Sequence, residues 1–167
     1  MGTTTGRGGL MKPATLDDAA EVIIPAELLL AYEAASYWIE LPSGTITLKI
    51  GEQFDPPPGN EPYSRLAVVT AFNPFSRLMS QVENEAHQAD LIEAVEAAGL
   101  EWFPAAGVDP TGDWEPEPSL GVLDPSDEQL DAWMERFGQN AVVVANAGEA
   151  TRLGFHPRHA ARLAMSG

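Results

Sequence analysis

Hydrophobic and polar residues alternate strictly through Thr45-Ile46-Thr47-Leu48-Lys49-Ile50, placing Ile46, Leu48 and Ile50 on one side and Thr45, Thr47 and Lys49 on the other. That two-residue period is the mark of a half-buried strand. Tyr37-Trp38-Ile39-Glu40-Leu41 precedes it, and the intervening Pro42-Ser43-Gly44 is turn chemistry, so the two runs predict a hairpin. Leu66 to Phe72 and Asn140 to Ala145 are nearly continuous apolar runs, the pattern of strands buried on both faces. Shorter strands are expected at Leu100–Pro104, Leu120–Leu123 and Ala150–Phe155. The proline-rich stretch from Gly51 to Arg65 and the acidic stretch from Ala105 to Pro118 read as loops.

The period lengthens in three places. After Pro25, a residue suited to a first helical turn, Leu28, Ala31, Tyr32 and Ala35 recur on one helical face. Ser80-x-x-Glu83 is a capping box opening a second helix that Gly99 ends. Leu91, Ile92, Val95 and Ala98 form its apolar stripe, with Val82, Ala86 and Ala89 as a competing one. Ser126-x-x-Gln129 opens a third helix, with Leu130, Trp133, Met134 and Phe137 as its stripe and Gly138 as its C-cap. The order α-β-β-β-α-β-β-α-β-β predicts a single α+β domain, a mixed β-sheet with two to three helices packed on it. Its expected bounds are 21–155, between a flexible N-terminal arm (1–20) and a loose basic C-terminal tail (156–167). Met11 offers an alternative start.

Composition narrows the function classes. Against 25 acidic residues stand only 9 Lys and Arg, a net charge of −16, which weighs against nucleic acid and anionic membranes as partners. No apolar run reaches the roughly 18 residues of a membrane span, and the N-terminus lacks a secretory h-region, so a soluble protein of the cytoplasm is expected. The absence of cysteine removes thiol catalysis and cysteine zinc sites. No phosphate-loop lysine, dinucleotide fingerprint, nucleophile elbow or His-x-x-x-His pair is present, so no cofactor and no metal are expected. The acidic loop Asp109–Glu117 fails the calcium-loop spacing.

Candidate chemistry gathers where the Leu66–Phe72 run meets the second helix. Stepping back from Leu91 along that helix leads to Gln88 and Asn84, so its buried face turns to amide at one end. Thr70, Asn73, Ser76, Asn84, Gln88 and Gln139 are the expected lining of a polar pocket, and Arg77 beside the turn would meet an anion such as a phosphate. The expected ligand is a small polar metabolite or a nucleotide-like molecule. Glu115 is the candidate base were the domain a hydrolase or transferase, a question the residues leave open. The alternative is a protein-interaction module without catalytic activity, an inhibitor or accessory subunit engaging its partner through Trp102 and Trp114.

Tyr32 and Tyr37, then Thr70-Ala71-Phe72-Asn73-Pro74, Glu83-Asn84, Trp114-Glu115-Pro116-Glu117 and Phe137-Gly138-Gln139-Asn140-Ala141 together resemble a bacterial family catalogued as a domain of unknown function. The family pattern runs T-A-W-N-P, E-N, W-x-E-x-S and F-G-Q-x-A, with Phe72 here in place of the tryptophan. The resemblance spans Ala31 to Gly154 and implies no activity. It does imply that the Asn, Glu and Gln positions serve a common ligand site.

Overall fold

A computed structural model gives the fold of residues 21–59 and 62–159; the expected arm and residues 160–167 of the expected tail lie outside the described residues. The elements are α1 (Ala26–Ala34), β1 (Ser36–Leu41), β2 (Gly44–Lys49), β3 (Arg65–Val69), α2 (Gln81–Ala97), β4 (Trp102–Val108), β5 (Glu117–Leu123), α3 (Asp127–Phe137), β6 (Ala141–Asn146) and β7 (Arg152–Phe155). Class and order match the expectation of an α+β domain.

The seven strands form one sheet in the order β2-β1-β4-β5-β3-β6-β7. Every neighbouring pair is antiparallel, so the expected mixed sheet is corrected. Hairpins account for the difference: β1–β2, β4–β5 and β6–β7 each pair directly with the strand that follows, which needs only a short reversal. β3 lies between β5 and β6, and β6 between β3 and β7, so both expected interior strands have neighbours on each side.

Alternation then divides the side chains between two faces. Ala67, Val69, Leu120, Val122, Val142 and Val144 meet α2 and α3 on one face, against Leu91, Val95, Leu130, Trp133, Met134 and Phe137. Both helices are set by their caps. Ser80 and Ser126 each accept the N3 backbone N–H while Glu83 and Gln129 reach back, and Gly138 closes α3 at φ 65°. Each cap is worth about 1 kcal/mol, and burying each large side chain about 1.5–3 kcal/mol. The stripe of α2 continues as Asn84, Gln88, Leu91 and Val95, whereas Val82 of the competing stripe is exposed.

On the other face Ile39, Leu41, Leu48, Leu66, Val68, Leu123, Val143 and Ala145 make a second core with Phe54 from the β2–β3 connection. Gly121 sits within it because a Cβ there would come 2.7 Å from Ile39 Cγ2. Three further expectations are corrected. Ala105–Val108 and Glu117–Pro118, read as loop, belong to the paired strands β4 and β5. Trp102 is not an exposed aromatic: it packs on the first core and donates its indole N–H to Glu96 at 3.1 Å. The start of the expected loose tail is fixed, for His156 is fully buried, its backbone N–H bonds Asn140 O at 2.9 Å, and its Nε2 lies 2.9 Å from Glu135 Oε1.

Candidate functional site

The strand β3 ends at Val69, and the chain crosses to α2 through a strained turn. Asn73, Phe75 and Ser76 all adopt positive φ (46°, 50° and 62°), a region that costs non-glycine residues about 1–3 kcal/mol each. The residue before a proline avoids the right-handed helical region, and Asn73 meets this by taking the left-handed one. What holds the strain is a set of amides. Asn84 Oδ1 accepts Asn73 N–H at 2.8 Å, and Gln88 Oε1 accepts Ala71 N–H at 2.8 Å. Asn73 Oδ1 accepts both Met79 N–H and Asn84 Nδ2, each at 3.0 Å. Gln139 Nε2 donates to Phe72 O at 3.0 Å, and Phe75 N–H donates to Gly138 O.

Beside this turn, on the second face of the sheet, lies a cavity of about 600 Å³. Leu28, Ala31, Tyr32 and Ala35, the apolar stripe of α1, form one wall of it rather than packing into a core. The sheet contributes Tyr37, Val68, Gly107, Glu117, Ser119, Ala141, Val143 and Leu153. Thr70, Phe72, Asn73, Ser76, Leu78 and Gln139 border it from the turn, and Asp109, Asp113, Trp114 and Glu115 from the β4–β5 hairpin loop. Tyr37 and Glu117 both pair with Gly107, so they stand in one row on the same face, one on either side of a residue with no side chain. Tyr37 donates its hydroxyl to Tyr32 O at 2.6 Å. The Tyr32 hydroxyl lies 3.4 Å from Ser76 Oγ and accepts from Asn140 Nδ2 at 3.2 Å, joining α1 to the turn.

Electrostatically the site centres on Glu117. Burial pushes its carboxyl up to about 7 against the opposing effect of a hydrogen bond from the Asn73 side chain. Burial also raises the Tyr37 hydroxyl, helped by Tyr32 and Glu117, so Tyr37 stays protonated. Among the described residues no Lys, Arg or His lines the cavity. Among the described residues no group of three or more His, Asp or Glu is placed to hold a metal ion.

Of the residues singled out in the sequence, Thr70, Asn73, Ser76, Gln139 and Glu115 line the cavity. Asn84 and Gln88 are buried behind the turn and are spent on its backbone, so they support the site without lining it. Arg77 is exposed and outside the lining, and the turn's N–H groups from Ala71 to Asn73 are taken by Gln88, Thr70 and Asn84. The anion cradle expected there is therefore absent. Tyr37 and Tyr32 were not chosen as site residues from sequence, and Glu117, weighed beside Glu115 as a base, was passed over for it. The available signal was spacing: Glu117, Ser119, Gly121 and Leu123 alternate with the core positions Leu120 and Val122 once the strand is begun at Glu117.

Fold and site thus define an α+β domain with an antiparallel sheet that carries helices α2 and α3 on one face and a partly roofed cavity on the other. The family model described as Protein of unknown function (DUF3293) matches residues 69–142, the span from the end of β3 to the start of β6. The resemblance to a domain of unknown function is therefore borne out, over a shorter span than Ala31–Gly154. No curated protein and no solved structure matches the chain.

Proposed function

We propose that this domain binds a small organic molecule in the cavity between α1 and the sheet. One observation carries the reading: a partly roofed hollow of about 600 Å³ whose walls are mainly apolar and whose lining includes the polar groups Glu117, Asn73, Thr70 and Gln139. That size and that mixture are typical of small-molecule sites. The strained turn at its border adds support, because such strain gathers where geometry serves a ligand. A nucleotide is a poorer fit than a metabolite with an apolar body, since among the described residues neither a basic side chain nor a free N–H from Ala71 to Asn73 is offered to phosphate. The interaction-module reading is weakened, since Trp102 is packed on the core and Trp114 borders the cavity. A carboxyl that titrates near neutrality also suits general acid–base work. Its nearest titratable companion, Tyr37, is held protonated and bonded to Tyr32 O, so binding is the better-supported role.

The neutral dye Nile red tests the cavity itself. Saturable binding with a blue-shifted emission is expected, and Ala31→Trp, which fills the α1 wall, should weaken it at least tenfold (about 1.4 kcal/mol). Dye binding that ignores Ala31→Trp would assign the signal to a surface patch and end the proposal.

A further inference from the structure

Resting on that reading of the cavity, we infer that its ligand class is an organic cation: an amine whose ammonium group meets Glu117 and whose apolar body lies against α1. Three separate features of the lining point there. First, the cavity has charge of one sign only. Glu117 stands within the hollow and Asp109, Asp113 and Glu115 on its loop side, while no basic side chain among the described residues lines it, so an anionic ligand would be repelled and left without a partner. Second, the lining is aromatic where a cation would sit. Tyr32, Tyr37 and Phe72 border the hollow, with the more exposed Trp114 on its loop side, and aromatic faces attract ammonium groups. Third, the carboxylate is held in place. The Asn73 amide beside it favours its ionised form, and Asn73 is itself fixed by Met79 N–H and Asn84.

The charge balance of the empty site agrees with this. Burial keeps the Glu117 carboxyl from ionising until about neutral pH, so an ammonium group supplies the partner that the ionised form lacks. The polar and titratable groups that share the cavity lining with it are Asn73 from the turn, Tyr37 from β1, Tyr32 from α1, and Asp109, Asp113 and Glu115 from the hairpin loop. None of these brings a positive charge. Amine affinity should accordingly rise as pH passes upward through the Glu117 titration, whereas a ligand accepting a hydrogen bond from the protonated carboxyl would show the opposite slope.

Three molecules sharing one indole body separate the possibilities: tryptamine, tryptophol and indole-3-acetate, each titrated by displacement of Nile red at about pH 6 and about pH 8, a window centred on the Glu117 titration. The expected result at the higher pH is tryptamine tightest, by about tenfold or more over tryptophol, and indole-3-acetate weakest. Glu117→Gln should bring tryptamine and tryptophol to within about threefold of each other. Equal or tighter binding of indole-3-acetate, an amine preference that survives Glu117→Gln, or failure of all three to displace a dye that does bind would each overturn the cation assignment and leave the cavity reading standing. Loss of dye binding in the unaltered protein would instead overturn the cavity reading.

Discussion

Replacing Glu117 by glutamine tests the central electrostatic claim without any ligand. In the unfolded chain this carboxyl titrates at its ordinary 4.5, and in the folded protein burial raises it to about 7. Between those values the native state holds a proton that the unfolded state has lost, so stability falls as pH rises through the window. Below it the effect is absent; above it the full cost of a buried, unpaired carboxylate is present. The distance from 4.5 to about 7, at 1.36 kcal/mol for each pH unit, amounts to about 3 kcal/mol. Glutamine keeps the shape and an oxygen that can accept from Asn73, but it never ionises. Urea unfolding of both proteins, followed by tryptophan fluorescence across the window, should give equal midpoints near pH 4 and a Glu117→Gln protein more stable by about 3 kcal/mol near pH 8. The general self-repulsion of a chain with net charge −16 acts on both proteins and drops out of the difference. Parallel stability curves, or a variant less stable at high pH, would refute the burial argument.

Two further substitutions test the scaffold. Asn84→Ala removes the acceptor of Asn73 N–H and the donor to Asn73 Oδ1, and should cost about 1–3 kcal/mol in denaturant unfolding; a smaller loss would mean that water replaces the amide. Gly121→Ala places a methyl group 2.7 Å from Ile39 Cγ2 in a fully buried core, and should cost about 1–3 kcal/mol, read as a lowered Tm, with an unchanged Tm contradicting the close packing.

The parts of this fold legible in the sequence are those whose information is local. A capping box, a four-residue stripe and a terminal glycine lie within thirteen consecutive residues at α3, and each acts on its immediate neighbours, so Trp133 is buried as the pattern requires. The strict alternation of Thr45–Ile50 likewise reports one strand's two faces. The site was half legible. The turn residues Thr70, Asn73 and Ser76 could be placed because Asn73-Pro74 stops a strand by local backbone preference. Glu117 could not be ranked above Glu115 by the same means. Pro116 and Pro118 made the segment look like loop, whereas pairing with β4 across the hairpin carries it into the sheet. Only that pairing sets Glu117 beside Gly107 and in line with Tyr37, eighty residues away in sequence. Burial, and with it the raised carboxyl, follows from this long-range register and from the α1 wall.

The amides of the turn explain why polar residues are buried on the helix side of a largely apolar cavity. Asn73 has four hydrogen-bonding capacities to satisfy: a backbone N–H, a backbone C=O and the two ends of its side-chain amide. Its N–H goes to Asn84 Oδ1, and its C=O accepts Ser76 N–H at 2.8 Å. Its Oδ1 is occupied twice over, by Met79 N–H and by Asn84 Nδ2. With every other capacity committed, the side-chain NH₂ is the end that remains, and Asn73 shares the cavity lining with Glu117, whose ionised form it favours. The amide orientation is therefore fixed by the network: a flipped Asn73 would aim an oxygen at a carboxylate and two donors at two donors. Aspartate at this position would repel Glu117, and leucine would strand the Met79 N–H. The strain at Asn73, Phe75 and Ser76 is the conformational cost of holding that single donor toward the cavity, and Asn84 is the residue that holds it there.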